Sequence, residues 1–425
     1  MLQSQSTSEP PDIRIRLVIA SFALGHLLSP PMKAEPLRII LLAILLASGS
    51  TPAATLYVDA ASTNAVAPYT NWLTAAAVIQ DAVDASAPGD EVVVTNGVYA
   101  RGGRAVIYGS RFTTLIGSLT NRVAVDKPIT LRSVNGPEVT IIQGYQVPNI
   151  TNGDGAVRCV YLTNGAVLSG FTLTNGATQN KGSSEEEYGG GVWCESNQTV
   201  ITNCALSGNA AYRFGGGADK GTLNNCTLQG NWSGNGGGGA RRAILNYCTL
   251  SGNRSWDGGG VIACTLNHCT IIGNLALGGM GGGAHDCTLN NCLLTGNRAY
   301  MAVGGTWAGS LINGTVTGNT AMHFGGCYDA KLTGCIVYYN TSRFGSPYQA
   351  SGTLIYCCTT PDPGWGAGNI TNEPLFMDRL HGNLRLQSNS PCINSGCNAY
   401  VTNRTDLDGR SRISGGTVDI GAYEF

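Results

Sequence analysis

Charge is what this chain has least of. Only 12% of its 425 residues are Asp, Glu, Lys or Arg, about half the globular norm, and the formal net charge is −1. With no basic excess, a nucleic-acid surface is excluded. Scarce charge beside 43% hydrophobic residues excludes a charge-rich disordered chain. Proline is limited to 16 residues and glycine has no three-residue period, which excludes collagen. No CxxC spacing occurs, so nothing points to a thiolate metal site. The apolar run Ile39–Ala47 is too short to span a bilayer. Against these shortages stand 60 glycines, roughly twice the usual share, and 15 cysteines. Glycine on that scale in a chain rich enough to form a core is glycine used for geometry, and tandem-repeat β folds use it so.

The register of the centre makes that specific. Asn209, Asn231, Asn253, Asn274, Asn297, Asn319 and Asn340 recur every 22 ± 1 residues. Five residues ahead of them stand Cys204, Cys226, Cys248, Cys269, Cys292, Gly314 and Cys335. Leu223, Leu245, Leu266, Leu289, Leu311 and Leu332 lie three before that column, and Leu228, Leu250, Ile271, Leu294, Val316 and Val337 two after it. Period-two alternation over short stretches predicts strands, and the Gly and Asn clusters between them predict turns. One such unit cannot bury its own apolar face, so units must stack. About 22 residues suffice for three short strands and three turns, which predicts an all-β, single-stranded parallel β-helix with coils about 4.8 Å apart. Right-handedness is the default for parallel crossovers.

Ala75, Val78, Ile79, Ala82 and Val83 are helically spaced, which predicts a cap helix over 74–86 with Thr74 as N-cap. Upstream, Lys33 and Arg38, the apolar run and the small residues Ser48–Ala54 predict a signal peptide over 32–54, cleaved after Ala53 or Ala54. Residues 1–31 read as upstream read-through. The β-helix is then expected over 55–390, with its regular coils about 189–345 and a closing segment over 391–425. This organisation predicts a secreted, periplasmic or cell-surface protein with no membrane span in the mature chain.

PGDEVVVTNGVYA, DKPITLRSVNGPEVTIIQG and the terminal SPCINSGCNAY…GTVDIGAYEF resemble the first coils and the closing segment of bacterial secreted pectin-lyase-like proteins. The central GGGA and xGN phrases are similar to repeats of polymorphic outer-membrane proteins. The resemblance implies a right-handed β-helix, export, and a polysaccharide or cell-surface glycan as partner. It does not imply one activity.

Most cysteines share inward columns with parallel Cβ vectors, a poor arrangement for disulfides, so they read as small core hydrophobes. Cys392 and Cys397 lie outside the ladder and could bridge. Two outward columns precede each cysteine: Asp219, Arg241, Ile262, His285, Trp307, Tyr328, and beside it Lys220, Arg242, Ala263, Asp286, Ala308, Asp329. The turns after each xGN carry Trp232, Trp256 with Asp257, Tyr300 and His323 among arginines. Aromatic faces stack on sugars while charged groups bond hydroxyls or uronates, so Trp232, Arg241, Trp256, Asp257, Tyr300, Trp307, His323 and Tyr328 are candidate glycan contacts. The competing expectation is that these rings merely cover the next coil. Catalytic candidates are thinner: Arg241, His285, Asp286 and Asp329, with Asp286 and Asp329 about 10 Å apart, just beyond the inverting-glycosidase range. The sequence therefore favours a non-catalytic polysaccharide binder or cell-surface component, with a lyase or glycoside hydrolase acting on an acidic polysaccharide as the alternative. No metal site or cofactor is expected, Ca²⁺ having a place only in the lyase alternative.

Overall fold

The computed structural model describes residues 52–110, 113–116 and 119–425. The expected upstream segment and the body of the expected signal peptide lie outside them. Residues 53–425 form one compact unit. It is a right-handed parallel β-helix whose strands stack into sheets of 18, 11 and 7 strands.

Left-handed corners explain the repeat. In one coil Gly215, Lys220, Asn225 and Gly230 all have φ between 52° and 66°, and the same four places recur as Gly237, Arg242, Tyr247 and Gly252. Between them run the short strands Ala218–Asp219, Thr222–Asn224 and Thr227–Gln229, followed by Trp232–Gly236. The first two belong to the largest sheet. Further along they merge into seven-residue strands, Ala284–Asn290, Thr306–Ile312, Cys327–Thr333 and Gln349–Ile355. The double glycine before each alanine is required by close approach. A Cβ on Gly238 would lie 2.5 Å from the Arg254 carbonyl and 2.6 Å from that of Gly259.

The asparagine column is a buried ladder. Asn231 Oδ1 accepts from the backbone N–H and the side-chain amide of Asn209, both at 3.0 Å, and Asn231 Nδ2 donates to Leu206 O at 2.9 Å. The pattern continues through Asn253, Asn274, Asn297 and Asn319 to Asn340. A second ladder runs on the outer face, where Asn246, Asn267 and Asn290 each donate to the asparagine one coil earlier, starting from Asn224, at 2.8–2.9 Å. Each of its members lies two residues before a ladder cysteine, a column that the sequence reading did not single out.

The leucine and cysteine columns form one continuous core from Leu56 to Cys357. All 15 cysteines are free thiols. Ladder thiols donate to carbonyls of the preceding coil, Cys248 to Leu223 O at 3.4 Å and Cys335 to Leu311 O at 3.2 Å. Burial pushes Cys159 and Cys194 up to about 12 and Cys204 up to about 11. Cys392 is turned into the closing cluster against Cys358, whereas Cys397 lies half-exposed beside Tyr356, so the two do not pair. Timed labelling of the native protein with a thiol reagent should therefore modify Cys397 fast and leave the other fourteen until unfolding. Several fast-reacting thiols would contradict the inward columns.

The cap helix is shorter than expected, Ile79–Ala85, and Thr74 is not its N-cap. Thr74 instead ends a separate turn, Trp72–Thr74, whose cap is the Asn71 side chain. Ile79, Ala82 and Val83 still bury against the first coils. Gln80 pairs its amide with the backbone of Ala124 in both directions, at 2.7 and 3.2 Å, satisfying strand groups that would otherwise be orphaned. At the other end the antiparallel strands Phe376–Asp378 and Asn383–Leu386, with Cys392 and Ile420, close a smaller apolar cluster. The last segment returns along the coil corners. Thr405 O accepts from Asn291 Nδ2 at 3.0 Å and lies 2.9 Å from His268 Nε2.

Candidate functional site

The site residues divide by their place in the coil. Those seven before the cysteine column point out of the largest sheet in one register: Trp193 pairs with Asp219, then Arg241, Ile262, His285, Trp307, Tyr328 and Gln349 follow, one per coil. Those six before it, Arg242, Asp286 and Asp329 among them, are left-handed corners rather than a second strand face. That explains their variability, since a corner side chain leaves the sheet and packs on nothing regular.

The first half of the outward column is covered. Arg241 is only 7% exposed, so its expected place on an open face does not hold. Its Nε donates to Asp219 Oδ1 at 2.5 Å, and its guanidinium lies 4.1 Å from the Tyr188 ring centre and 4.9 Å from that of Phe214. Tyr188 enters from the insertion that contains the short helix Ser184–Glu187, and the Glu187–Arg213 ion pair fastens it at 2.7 Å. A buried ion pair under two rings is unavailable to substrate. The Tyr188 insertion has no counterpart in the repeat, so nothing in the register announced it.

The second half is open. His285, Trp307 and Tyr328 are half-buried, with ring centres 6.3 Å apart for the first pair and 4.9 Å for the second. Phe324 packs on Tyr328 at 4.6 Å, and His323 lies between Phe324 and Phe344 at 6.5 and 6.2 Å. His285 Nδ1 is buried without a hydrogen-bond partner. Burial lowers the His285 pKa, and the carboxylates of Asp257, then Asp286, partly oppose that. Asp257 is half-buried and shifted upward by burial, against a bond from Met280 N–H and the charge of His285. Asp257, from the preceding coil, thus acts on His285 more strongly than its sequence neighbour Asp286, through charge and not through a hydrogen bond. Asp329, also at a corner, joins neither group.

The sign of the His285 shift predicts its pH behaviour. Its folded pKa lies below the ordinary ~6.5, so as pH falls the unfolded chain takes up this proton first. Its contribution to stability is complete above ~6.5 and is lost as pH drops through the range beneath. An NMR titration of the ring should place its midpoint below 6.5; a midpoint above that value would contradict the burial.

A third group follows the edge formed by the turns. Trp256 is 58% exposed, Tyr300 48% and Phe344 52%, with Trp232 beside them at the same edge. Trp256 lies across Gly278 of the next coil so closely that a Cβ there would be 2.3 Å from its indole nitrogen. One indole face covers the next coil, as the competing expectation has it, and the rest of the ring is left to solvent. Arg298 packs over Tyr300 and Arg343 over Phe344, both at 5.3 Å. Trp232 also borders a cavity of about 400 Å³ with Gln146, Ile150 and Thr151, residues that lie before the regular repeat and escaped the register. Among the described residues no group of three or more His, Cys, Asp or Glu side chains could hold a metal ion. No helix among them is long and apolar enough to cross a membrane.

No family model matches the chain, and no curated protein does. Among solved structures it is similar to the pectate lyase Pel9A, at 14% identity over 88% of this chain and 97% of that one, with a TM-score of 0.47. A rhamnogalacturonan lyase is similar at 12% identity over 85% and 96%, with a TM-score of 0.42. A pectin methylesterase from carrot is similar at 14% identity over 76% and 90%, with a TM-score of 0.34.

Proposed function

We propose that this is an exported β-helix protein that binds polysaccharide along its aromatic side and has no catalytic role. One observation carries the reading: the solvent-facing rings Trp232, Trp256, Tyr300 and Phe344 repeat along one edge of a rigid stack. From Trp232 to Phe344 they span five coils, roughly 24 Å at 4.8 Å per coil, a platform for several sugar rings in succession. Flat indole and phenol faces cover apolar sugar faces, and Arg254, Arg298 and Arg343 along the same edge supply donors to hydroxyls. Trp307 and Tyr328 widen the platform on the adjoining sheet face. The test is electrophoresis of the full chain through gels containing neutral or acidic polysaccharides. At least one polymer should retard the wild type, and Trp256→Ala should remove most of the retardation.

The enzyme reading has one observation in its favour, the buried, unpartnered His285 Nδ1 in the open half of the column, under the influence of the Asp257 charge. Release of new reducing or unsaturated ends from a retained polymer, abolished by His285→Ala, would establish it in place of simple binding. Arg241 has no part in either reading, being consumed by Asp219.

A further inference from the structure

The outward column that carries His285, Trp307 and Tyr328 ends at Gln349, since Gln349–Ile355 is the last strand of the large sheet. The chain then turns back over that end instead of adding another strand. Between the strand end and the returning loop lies a cavity of about 200 Å³ lined by Ser346, Tyr348, Gln349, Asp362 and Trp365 together with the inward-facing Ala350 and Leu354 of the last strand. That is smaller than the ~300–1,000 Å³ of a drug-sized site, room for about one sugar ring and not for a chain passing through. Its lining suits one ring. The Trp365 indole is 46% exposed, and the Gln349 side chain is exposed at the column's last position. Asp362 accepts one N–H, from Gly364 at 2.9 Å, and has no cation partner among the described residues. Tyr348 is fixed by its hydroxyl, which donates to Pro361 O at 2.9 Å, so the wall opposite is held in place.

We propose that this pocket receives the terminal ring of the bound glycan, and that the ring is a neutral pyranose. The proposal rests on the polysaccharide-binding reading and adds to it a direction and an end. An unpaired carboxylate accepts from sugar hydroxyls but repels a uronate, which is why the end ring is neutral whatever lies further along. The Trp365 face stacks on the ring, and the Gln349 amide bonds a further hydroxyl. The returning loop stops the glycan, so recognition is of chain ends.

The test uses the full chain with neutral oligosaccharides of four and of ten units (gluco-, xylo-, manno- and galacto-series) and with tetragalacturonate, followed by calorimetry. In a Trp256→Ala background, which weakens contact along the edge, affinity per chain should be the same for the four- and ten-unit members of the recognised series. Trp365→Ala should lower it at least tenfold, Asp362→Asn should reduce the preference over tetragalacturonate, and circular dichroism should show both variants folded. Affinity that climbs with chain length, or that survives Trp365→Ala, would overturn the pocket while leaving the edge reading intact if Trp256→Ala still abolishes polymer retardation. A wild type that no polymer retards and no oligosaccharide binds would overturn both.

Discussion

Asn253→Ala is expected to destabilise the protein by about 3–5 kcal/mol, because it removes four buried hydrogen bonds at about 1 kcal/mol each. The Asn253 carboxamide accepts from Asn231 N–H and Asn231 Nδ2, both at 3.0 Å, and donates to Leu228 O at 2.9 Å and to Asn274 Oδ1 at 2.9 Å. Alanine keeps the backbone and removes all four bonds in a place with no exposure to water. The outer ladder supplies the contrast. Asn246→Ala deletes amide bonds to Asn224 and Asn267 on a half-buried face where water replaces them, and should cost under about 1 kcal/mol. Urea unfolding followed by circular dichroism compares the two. Stacked coils need not unfold as one unit, so the comparison is made at the first transition. Equal losses at the two sites would mean that the inner ladder is not the support of the stack.

Arg241→Ala should be of similar size, about 3–5 kcal/mol, for a different reason. Asp219 is fully buried, its Oδ2 has no hydrogen-bond partner, and Arg241 is its ion-pair partner at 2.5 Å. Removing the guanidinium leaves an uncompensated carboxylate under Tyr188 and Phe214, whereas removing both charges together, as in Asp219→Leu with Arg241→Met, should restore most of the loss. The double variant separates a charge effect from lost packing beneath the two rings. If the Arg241→Ala protein unfolds at the wild-type urea concentration, the pair is not the internal strut that its geometry describes.

The repeat was legible because stacking makes every coil solve the same problem. A buried amide at one corner and a small hydrophobe five residues earlier recur wherever a coil must bond to the next, and position in the register gives burial almost directly. Arg241 shows where that logic stops. Its register position is an outward one, yet Tyr188, from an insertion outside the repeat, buries it. The same holds for His285, on which the charge of Asp257, at a turn of the neighbouring coil, acts more strongly than that of its sequence neighbour Asp286 at the left-handed corner. Trp256 was recognised as a candidate contact, but the glycine that seats its ring, Gly278, was indistinguishable from the other turn glycines. Spacing left a Cys392–Cys397 bridge open, and the closing cluster, which holds Cys392 inward, decides against it. Contacts within the period could be read from sequence, and contacts made by insertions or across a turn could not.

Polysaccharide binding by the aromatic edge is tested by the affinity of wild-type and Trp256→Ala proteins for the polymer that retards the wild type most. At least a tenfold loss, about 1.4 kcal/mol, is expected with an unchanged melting temperature, because the ring is mostly exposed and its removal opens no core cavity. Unchanged affinity, or a wild type that no polysaccharide retards, would contradict it.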